Sequence, residues 1–423
     1  MEGESMSEWK EVKLGDVILH SCSGGTPKSN VSEYYDGEIP WLNTKEIDFN
    51  RIYQTERNIT QKGLDNSSAK WIDEKCVIIA MYGATAGKIA INMIPLTTNQ
   101  ACCNLKVDDR LADFRYIYYF LKKDFKFLAS LANGGAQQNL NSQIIKDYVI
   151  KLPSLSIQKE ISDLLWTIDA KIETNNKLNE KLEEMAQAIF KSWFVDFEPF
   201  KDKPFHETEL GMIPEGWEVS TFSSIIEKLI SGDWGKETPT GNYVHKVACI
   251  RGCDFENIKN GLRGKTPERF ILERNFASKQ PKPNDIVVEM SGGTATVSTG
   301  RICYITKELL DQYGGDIVCT NFCKIVRPLK GWSQYLYYYW QYKYDKKVMF
   351  CYENGTSGIK NFAINDFIDI ESLLIPPKDE LIKFNSIIDN IRVKIQMNGV
   401  ENTRLASLRD TLLPRLMSGE LIV

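Results

Sequence analysis

The sequence predicts an α+β chain. Two similar globular units of mixed β-sheet plus helices are each followed by a long α-helix, and the two helices pair as an antiparallel coiled coil with pseudo-two-fold symmetry. Three observations predict it. An apolar seam spaced four and three runs through Ile161, Leu165, Ile168, Ile172, Leu182, Ile189 and Trp193, with Asn175 and Asn179 as polar steps at its middle. Such spacing lets one helix lie along another. The same seam returns 223 residues later as Phe384, Ile388, Ile391, Ile395, Asn398, Asn402, Leu405, Leu412 and Leu416, with both asparagines in the same register. Short strand-like runs with turn signals precede each seam and match one another.

Taken in order, the first globular unit covers residues 1–153 and the first long helix 154–198. No Gly or Pro stands between Pro153 and Pro199, so a rod of about 58 Å is expected there. Residues 199–216, with Pro204, Gly211 and Pro214, read as a linker. The second globular unit covers 217–376 and the distal helix 377–423. Trp9-Lys-Glu-Val-Lys-Leu answers Trp217-Glu-Val-Ser-Thr-Phe, and Cys76-Val-Ile-Ile-Ala-Met answers Asp285-Ile-Val-Val-Glu-Met. Gly87-Lys-Ile-Ala-Ile answers Gly300-Arg-Ile-Cys-Tyr. The run Phe114-Arg-Tyr-Ile-Tyr-Tyr-Phe-Leu answers Ser333-Gln-Tyr-Leu-Tyr-Tyr-Tyr-Trp, and Leu152-Pro153 answers Ile375-Pro376. The offset grows from 208 to 223 along the repeat, so the second copy carries extra loop residues. The tyrosine runs are expected to belong partly to the cores, since all sides of a short helix cannot face one ligand. A buried Asn175/Asn179 and Asn398/Asn402 set would fix helix register at some cost in stability. Solvent-facing asparagines are the alternative.

Composition is that of a soluble globular protein, with 43% hydrophobic and 26% charged residues over 423 positions. No run approaches the ~20 apolar residues of a membrane span, and the start of the chain shows no apolar signal region. Ten irregularly spaced cysteines suggest reduced thiols, hence a cytoplasmic chain. Cys249/Cys253 and Cys319/Cys323 lack tight metal-ligand spacing, so no metal is expected. A net charge of −4 argues against a uniformly basic DNA wrapper and leaves room for local basic loops.

Catalytic constellations are missing. The three histidines, His20, His206 and His245, have no ligand spacing and no evident partner. Gly83-Ala-Thr-Ala-Gly-Lys88 is one residue too short for a phosphate loop, and Ile89 stands where Ser or Thr would meet magnesium. No strand leads into G-x-G-x-x-G, and Ile375-Pro-Pro-Lys is only a distant echo of a base-methyltransferase motif.

The loops instead hold groups that read nucleic acid. The first copy offers Thr26, Lys28, Trp41, Asn43, Thr44, Lys45, Tyr82, Thr85, Lys88, Asn99, Gln100, Gln137, Gln138 and Asn139. The second offers Trp234, Lys236, Arg251, Arg263, Lys265, Ser291, Thr294, Arg301, Asn321, Lys360 and Asn361. Arg suits guanine, Asn and Gln suit adenine, and Lys, Ser and Thr suit phosphates. Polar loops are also often merely solvated.

With these residues in view, the chain resembles a specificity subunit of a type I restriction–modification system. The resemblance rests on Gly24-Gly-Thr-Pro27, Ile39-Pro-Trp-Leu42, Leu152-Pro153 and Ile189-Phe-Lys-Ser-Trp-Phe-Val-Asp-Phe-Glu-Pro199. Leu210-Gly-Met-Ile-Pro-Glu-Gly-Trp217 and Leu413-Pro-Arg-Leu-Met-Ser-Gly-Glu-Leu421 complete it, so that it spans essentially the whole chain. Ser231-Gly-Asp-Trp-Gly-Lys236 departs from the Gly-Thr-Pro loop.

The resemblance implies that each globular unit is a target-recognition domain reading one half of a split double-stranded DNA target. It implies that the helices fix the unread gap and dock two methyltransferase subunits that modify adenine N6, with two translocase–nuclease restriction subunits added in a full complex. No cofactor is expected in this chain, since S-adenosylmethionine, ATP and Mg would belong to the partner subunits, and no membrane is involved. Phe190, Trp193, Phe194, Leu413 and Leu416 are expected to offer apolar surface to a partner, with burial in the chain's own globular units as the alternative. A methyltransferase in its own right, a standalone bivalent DNA-binding protein and a purely helical scaffold are the competing readings.

Overall fold

The computed structural model describes residues 9–131, 139–294, 296–355 and 360–421. The chain divides into two compact units, Met1–Ala170 with Leu405–Val423, and Lys171–Arg404. The division cuts through both long helices, so each unit holds one globular region and a stretch of both helices.

Each globular region closes on itself. In the first unit, strand Lys10–Lys13 pairs antiparallel with Val149–Leu152, Lys10 facing Leu152. In the second, Glu218–Thr221 pairs antiparallel with Ser372–Ile375, Glu218 facing Ile375. The first and last strands of each globe are therefore neighbours, and the chain passes directly into the long helix after them.

The main sheet of the first unit has the strand order Ile18–Ser23, Cys102–Val107, Val77–Ala80, Ile89–Asn92, Asn50–Ile52, antiparallel except for the last pairing. In the second unit Ile226–Ser231, Cys323–Pro328, Ile286–Glu289 and Ile302–Tyr304 repeat that order. A second sheet lies on the strand Tyr35–Leu42 in one unit and on Tyr243–Ile250 in the other. Each of these pairs parallel with a short strand, Leu96–Thr98 or Ile317–Cys319.

The central helix runs Leu155–Phe194 and the distal helix Lys378–Met417. Every residue of the two seams is buried or half-buried. Within the first unit, Arg409 Nη1 donates to Asp169 Oδ1 at 2.7 Å. Within the second, the pairing descends antiparallel through Asn175 with Asn402 and Asn179 with Asn398. All four asparagines are at most 3% exposed. Asn175 Nδ2 donates to Asn402 Oδ1 (2.9 Å) and to Glu401 Oε2 (2.7 Å), while Asn402 Nδ2 donates to Asn176 Oδ1 (2.8 Å). Asn398 Nδ2 donates to Asn179 Oδ1 at 2.8 Å, and Asn179 Nδ2 reaches the carbonyl of Asn260 on a loop of the globe (3.1 Å). Each amide thus has partners that offset its desolvation.

The aromatic helices, Phe114–Lys123 and Ser333–Asp345, join globe to rod. The rings of Tyr116, Tyr118, Tyr119, Tyr335, Tyr337, Tyr338 and Tyr339 are buried, and two of the hydroxyls donate to backbone carbonyls: Tyr116 to that of Lys151, Tyr335 to that of Leu374. Tyr119 and Tyr338 donate to carboxylates of the central helix, Asp169 (2.7 Å) and Glu183 (3.2 Å). Arg392 of the distal helix lies over the rings of Tyr304, Tyr337 and Tyr338 at 4.1–5.1 Å. A cation against aromatic faces in a dry site is worth about 2 kcal/mol.

One expectation is corrected here. Phe190, Phe194, Leu413 and Leu416 do not offer surface to a partner. They are 2%, 1%, 6% and 0% exposed and belong to the cores of their own units. Phe194 packs edge-on against Tyr335 and Phe384 at 4.8 and 4.9 Å, and half-buried Trp193 packs on Phe200. The globe covers this end of the helix because its aromatic helix and the linker segment Glu198–Phe200 supply matching apolar area. The outward apolar residues of the helices lie elsewhere: Leu178, Met185, Ile382, Ile387, Val393, Met397 and Leu408.

Candidate nucleic-acid interface

The predicted reading residues of the first unit collect where several strands end. Four hydrogen bonds knit the loops there: Gly25 N to Thr98 O, Asn99 N to Leu42 O, Met81 N to Ala101 O, and Leu140 N to Met81 O. The loops 24–28, 43–46, 82–88 and 98–101 therefore form one surface. Gly24 is needed for its close approach, since a Cβ there would stand 2.0 Å from the Thr98 carbonyl.

The second unit repeats the arrangement. Asp233 N bonds Cys319 O, Thr320 N bonds Ile250 O, Met290 N bonds Phe322 O, and Phe362 N bonds Met290 O. A Cβ on Gly232 would stand 1.9 Å from the Thr320 carbonyl. Ser231-Gly-Asp departs in sequence from Gly-Gly-Thr-Pro, yet it keeps the glycine that the close approach demands.

On the first surface Thr26, Lys28, Lys45, Tyr82, Gln100 and Asn139 are exposed, and Asn43, Thr44, Thr85 and Lys88 half-buried. The Thr26 hydroxyl bonds Gln100 Oε1, which joins two of the loops. Lys45 pairs with Glu56, and Lys88 with Asp48 at 2.7 Å. Asn43 caps its own short turn by accepting from Lys45 N. Asn99 is 8% exposed and turns its side chain back to Ala101 N. Trp41 is corrected from reader to core residue: it is 3% exposed, and its Nε1 donates to the Gly25 carbonyl at 2.9 Å. Gln137 and Gln138 lie outside the described residues.

On the second surface Lys236, Thr294, Asn321 and Asn361 are exposed, and Trp234, Arg251, Ser291, Arg301 and Lys360 half-buried. Ser291 and Asn361 are joined by a hydrogen bond of 2.5 Å. Lys360 pairs with Glu353 at 2.7 Å. Arg251 is held by Asp254 and donates to the carbonyl of Lys265. Trp234 serves as a platform under Arg269, 3.8 Å away. Arg263 stands over the Tyr313 ring at 4.5 Å, apart from this network. Glu289 and the 58% exposed Phe322 also sit here and were missed by sequence reasoning. A carboxylate closing the apolar run Ile286-Val-Val, where the first copy has Ala80, was the available signal.

Among the described residues, no group of three or more His, Cys, Asp and Glu could hold a metal ion, and no helix is long and apolar enough to cross a membrane. Burial pushes the Cys249 and Cys323 thiols up to about 12.

The family model described as "Type I restriction modification DNA specificity domain" matches residues 6–184. The putative type I restriction enzyme MjaX specificity subunit of Methanocaldococcus jannaschii is 33% identical over 442 residues, covering 100% of this chain and 95% of that one. The chain belongs to the type I restriction enzyme specificity subunits. The MjaIX specificity subunit of the same organism is 29% identical over all of this chain and 95% of its own length. The HindI specificity subunit of Haemophilus influenzae is 22% identical, covering 98% of this chain and 100% of that one. The fold is also that of a type I restriction–modification S subunit from M. genitalium, with a TM-score of 0.56 at 16% identity over 96% of both chains. As a specificity subunit, the chain is the non-catalytic DNA-recognition component of its restriction–modification system.

Proposed function

We propose that this specificity subunit reads a bipartite double-stranded DNA target with a fixed gap. Residues 1–153 would act as one target-recognition domain and 217–376 as the other. The observation that carries the reading is the doubled loop surface, built on equivalent backbone hydrogen bonds in both units. Two similar surfaces in one chain suit two half-sites, and different side chains on them suit different half-sequences. Base edges in the major groove would supply specificity, and Lys28, Lys45, Lys236 and Lys265 would add salt-dependent phosphate contacts.

The helices would fix the unread gap and dock two methyltransferase subunits, and through them restriction subunits. The outward residues Met185, Val393 and Met397 favour such docking, because exposed apolar side chains on helices are suited to a partner's surface. S-adenosylmethionine, ATP and Mg would belong to those partners, and the assembly would act in the cytoplasm.

The test is a genome-wide adenine-methylation map from a methylation-free host expressing the full chain with its methyltransferase. A split motif with a constant gap is expected. Exchanging Glu218–Ile375 for the matching segment of a relative should change one half of that motif and leave the other intact. If folded, associated proteins give no new methylation, the reading fails.

A further inference from the structure

We propose that Glu289 is a positioning residue that presents Arg301 as the guanine-reading group of the second unit. The inference deepens the function proposed above and rests on it. Glu289 ends the strand Ile286–Glu289, and Arg301 stands beside it just before Ile302–Tyr304, with Glu289 N bonded to Arg301 O. The carboxylate takes the guanidinium side-on: Nε donates to Oε2 at 2.8 Å and Nη2 to Oε1 at 2.7 Å. The Glu289 side chain is 8% exposed and that of Arg301 39%. A buried acid thus holds a partly bare base in one plane.

That pairing spends one edge of the guanidinium and leaves the other. Nη1 makes no hydrogen bond among the described residues, and Nη2 keeps a second proton. These are the donors that an end-on, bidentate contact to guanine O6 and N7 requires. Fixing the plane beforehand removes rotamer freedom that binding would otherwise have to remove.

The surroundings are fitted to the carboxylate. A Cβ on Gly252 would stand 2.1 Å from Glu289 Oε1, and one on Gly292 3.2 Å from it. Met290, the next residue, donates to Phe322 O and accepts from Phe362 N, so the pair sits within the loop surface. Other arginines of this unit are committed differently. Arg327 pairs with buried Asp285 and is only 16% exposed, while Arg251 also gives Nη2 to the Lys265 carbonyl. In the first unit Ala80 and Lys88 occupy the equivalent strand positions, and Lys88 pairs with Asp48, so this device belongs to one half-site alone.

The test is the methylation map, with Arg301→Ala, Arg301→Lys and Glu289→Gln in the full chain beside its methyltransferase. The wild type should require G·C at one position of the half assigned to residues 218–375. Arg301→Ala should lower that discrimination by about tenfold. Arg301→Lys and Glu289→Gln should weaken it at the same position, with the other half and the gap unchanged. Arg301→Lys keeps a cation beside Glu289, so the result does not depend on the alanine variant folding. A uniform fall in methylation with the motif unaltered would make Arg301 a phosphate or structural contact and overturn the inference. Full methylation of an unaltered motif would overturn it too. A wild type without any split motif would instead remove the underlying reading.

Discussion

Asn398 Nδ2 donates to Asn179 Oδ1 across the paired helices at 2.8 Å, with both residues under 3% exposed. Replacing one partner leaves a buried amide oxygen unsatisfied. Asn398→Ala is therefore expected to destabilise the second unit by about 1–3 kcal/mol. The double replacement Asn179→Ala with Asn398→Ala should cost less than the sum of the two single replacements, and the coupling between the sites should be read from this double-mutant cycle of denaturant midpoints. Additive single effects would show that the pair is not coupled.

Lys122 gives the first unit an alkaline signature. Burial pushes its amine down to about 8, and Asp169, 3.9 Å away, only partly opposes this. The folded state releases the proton before the unfolded state does. Stability from this group therefore rises between about pH 8 and the ordinary lysine value of 10.5, and is lost as pH falls through 8. Lys122→Met should be more stable than wild type at pH 7, and the difference should shrink toward pH 10. Denaturant melts of both proteins across that range check it.

Replacements at Phe194 and Met397 test folding and the proposed docking separately. Phe194 is a core ring, so Phe194→Ala should cost about 3–5 kcal/mol in stability. Met397 is 61% exposed, and Met397→Asp should leave the melting temperature within about 2 °C, the range expected of a surface change. If the outward helix face docks the methyltransferase, Met397→Asp weakens co-purification while Phe194→Ala acts through lost folding. The reverse pattern would return docking to the helix end.

Thiol labelling at pH 8 should distinguish the cysteines. Cys253 and Cys351 are exposed, whereas Cys76, Cys102, Cys249, Cys303, Cys319 and Cys323 are buried, with thiols pushed upward by desolvation. Cys253 and Cys351 should react first in the native protein, and the buried set only with denaturant. Mass mapping of the labelled peptides gives the order.

The seams were readable because a heptad spacing is a local regularity, and its repetition with two asparagines in register named the partner helix. The loop surfaces were readable as composition, since the candidate reading side chains are polar and lie between strands. The role of each side chain was not. Trp41 looked like a reader and is core, because its indole proton is taken by the Gly25 carbonyl, a contact set by how two loops meet. Phe194 looked like a docking residue because sequence cannot show how much area an aromatic helix over a hundred residues later will cover. Glu289 passed unnoticed because its partner lies twelve residues on, across a turn whose course only the fold defines.

The pairing of Lys10 with Leu152, and of Glu218 with Ile375, gives each globe a span close to zero as seen from the rest of the chain. Its two ends meet, so the segment between them can lengthen, shorten or be replaced without displacing the helix beyond. In genetic terms each globe is a cassette. Two crossovers, distant in the gene yet adjacent in space, would install a new reading surface while the helices kept their register. If each globe reads one half of the target, as proposed above, a single recombination event would change sequence preference one half at a time.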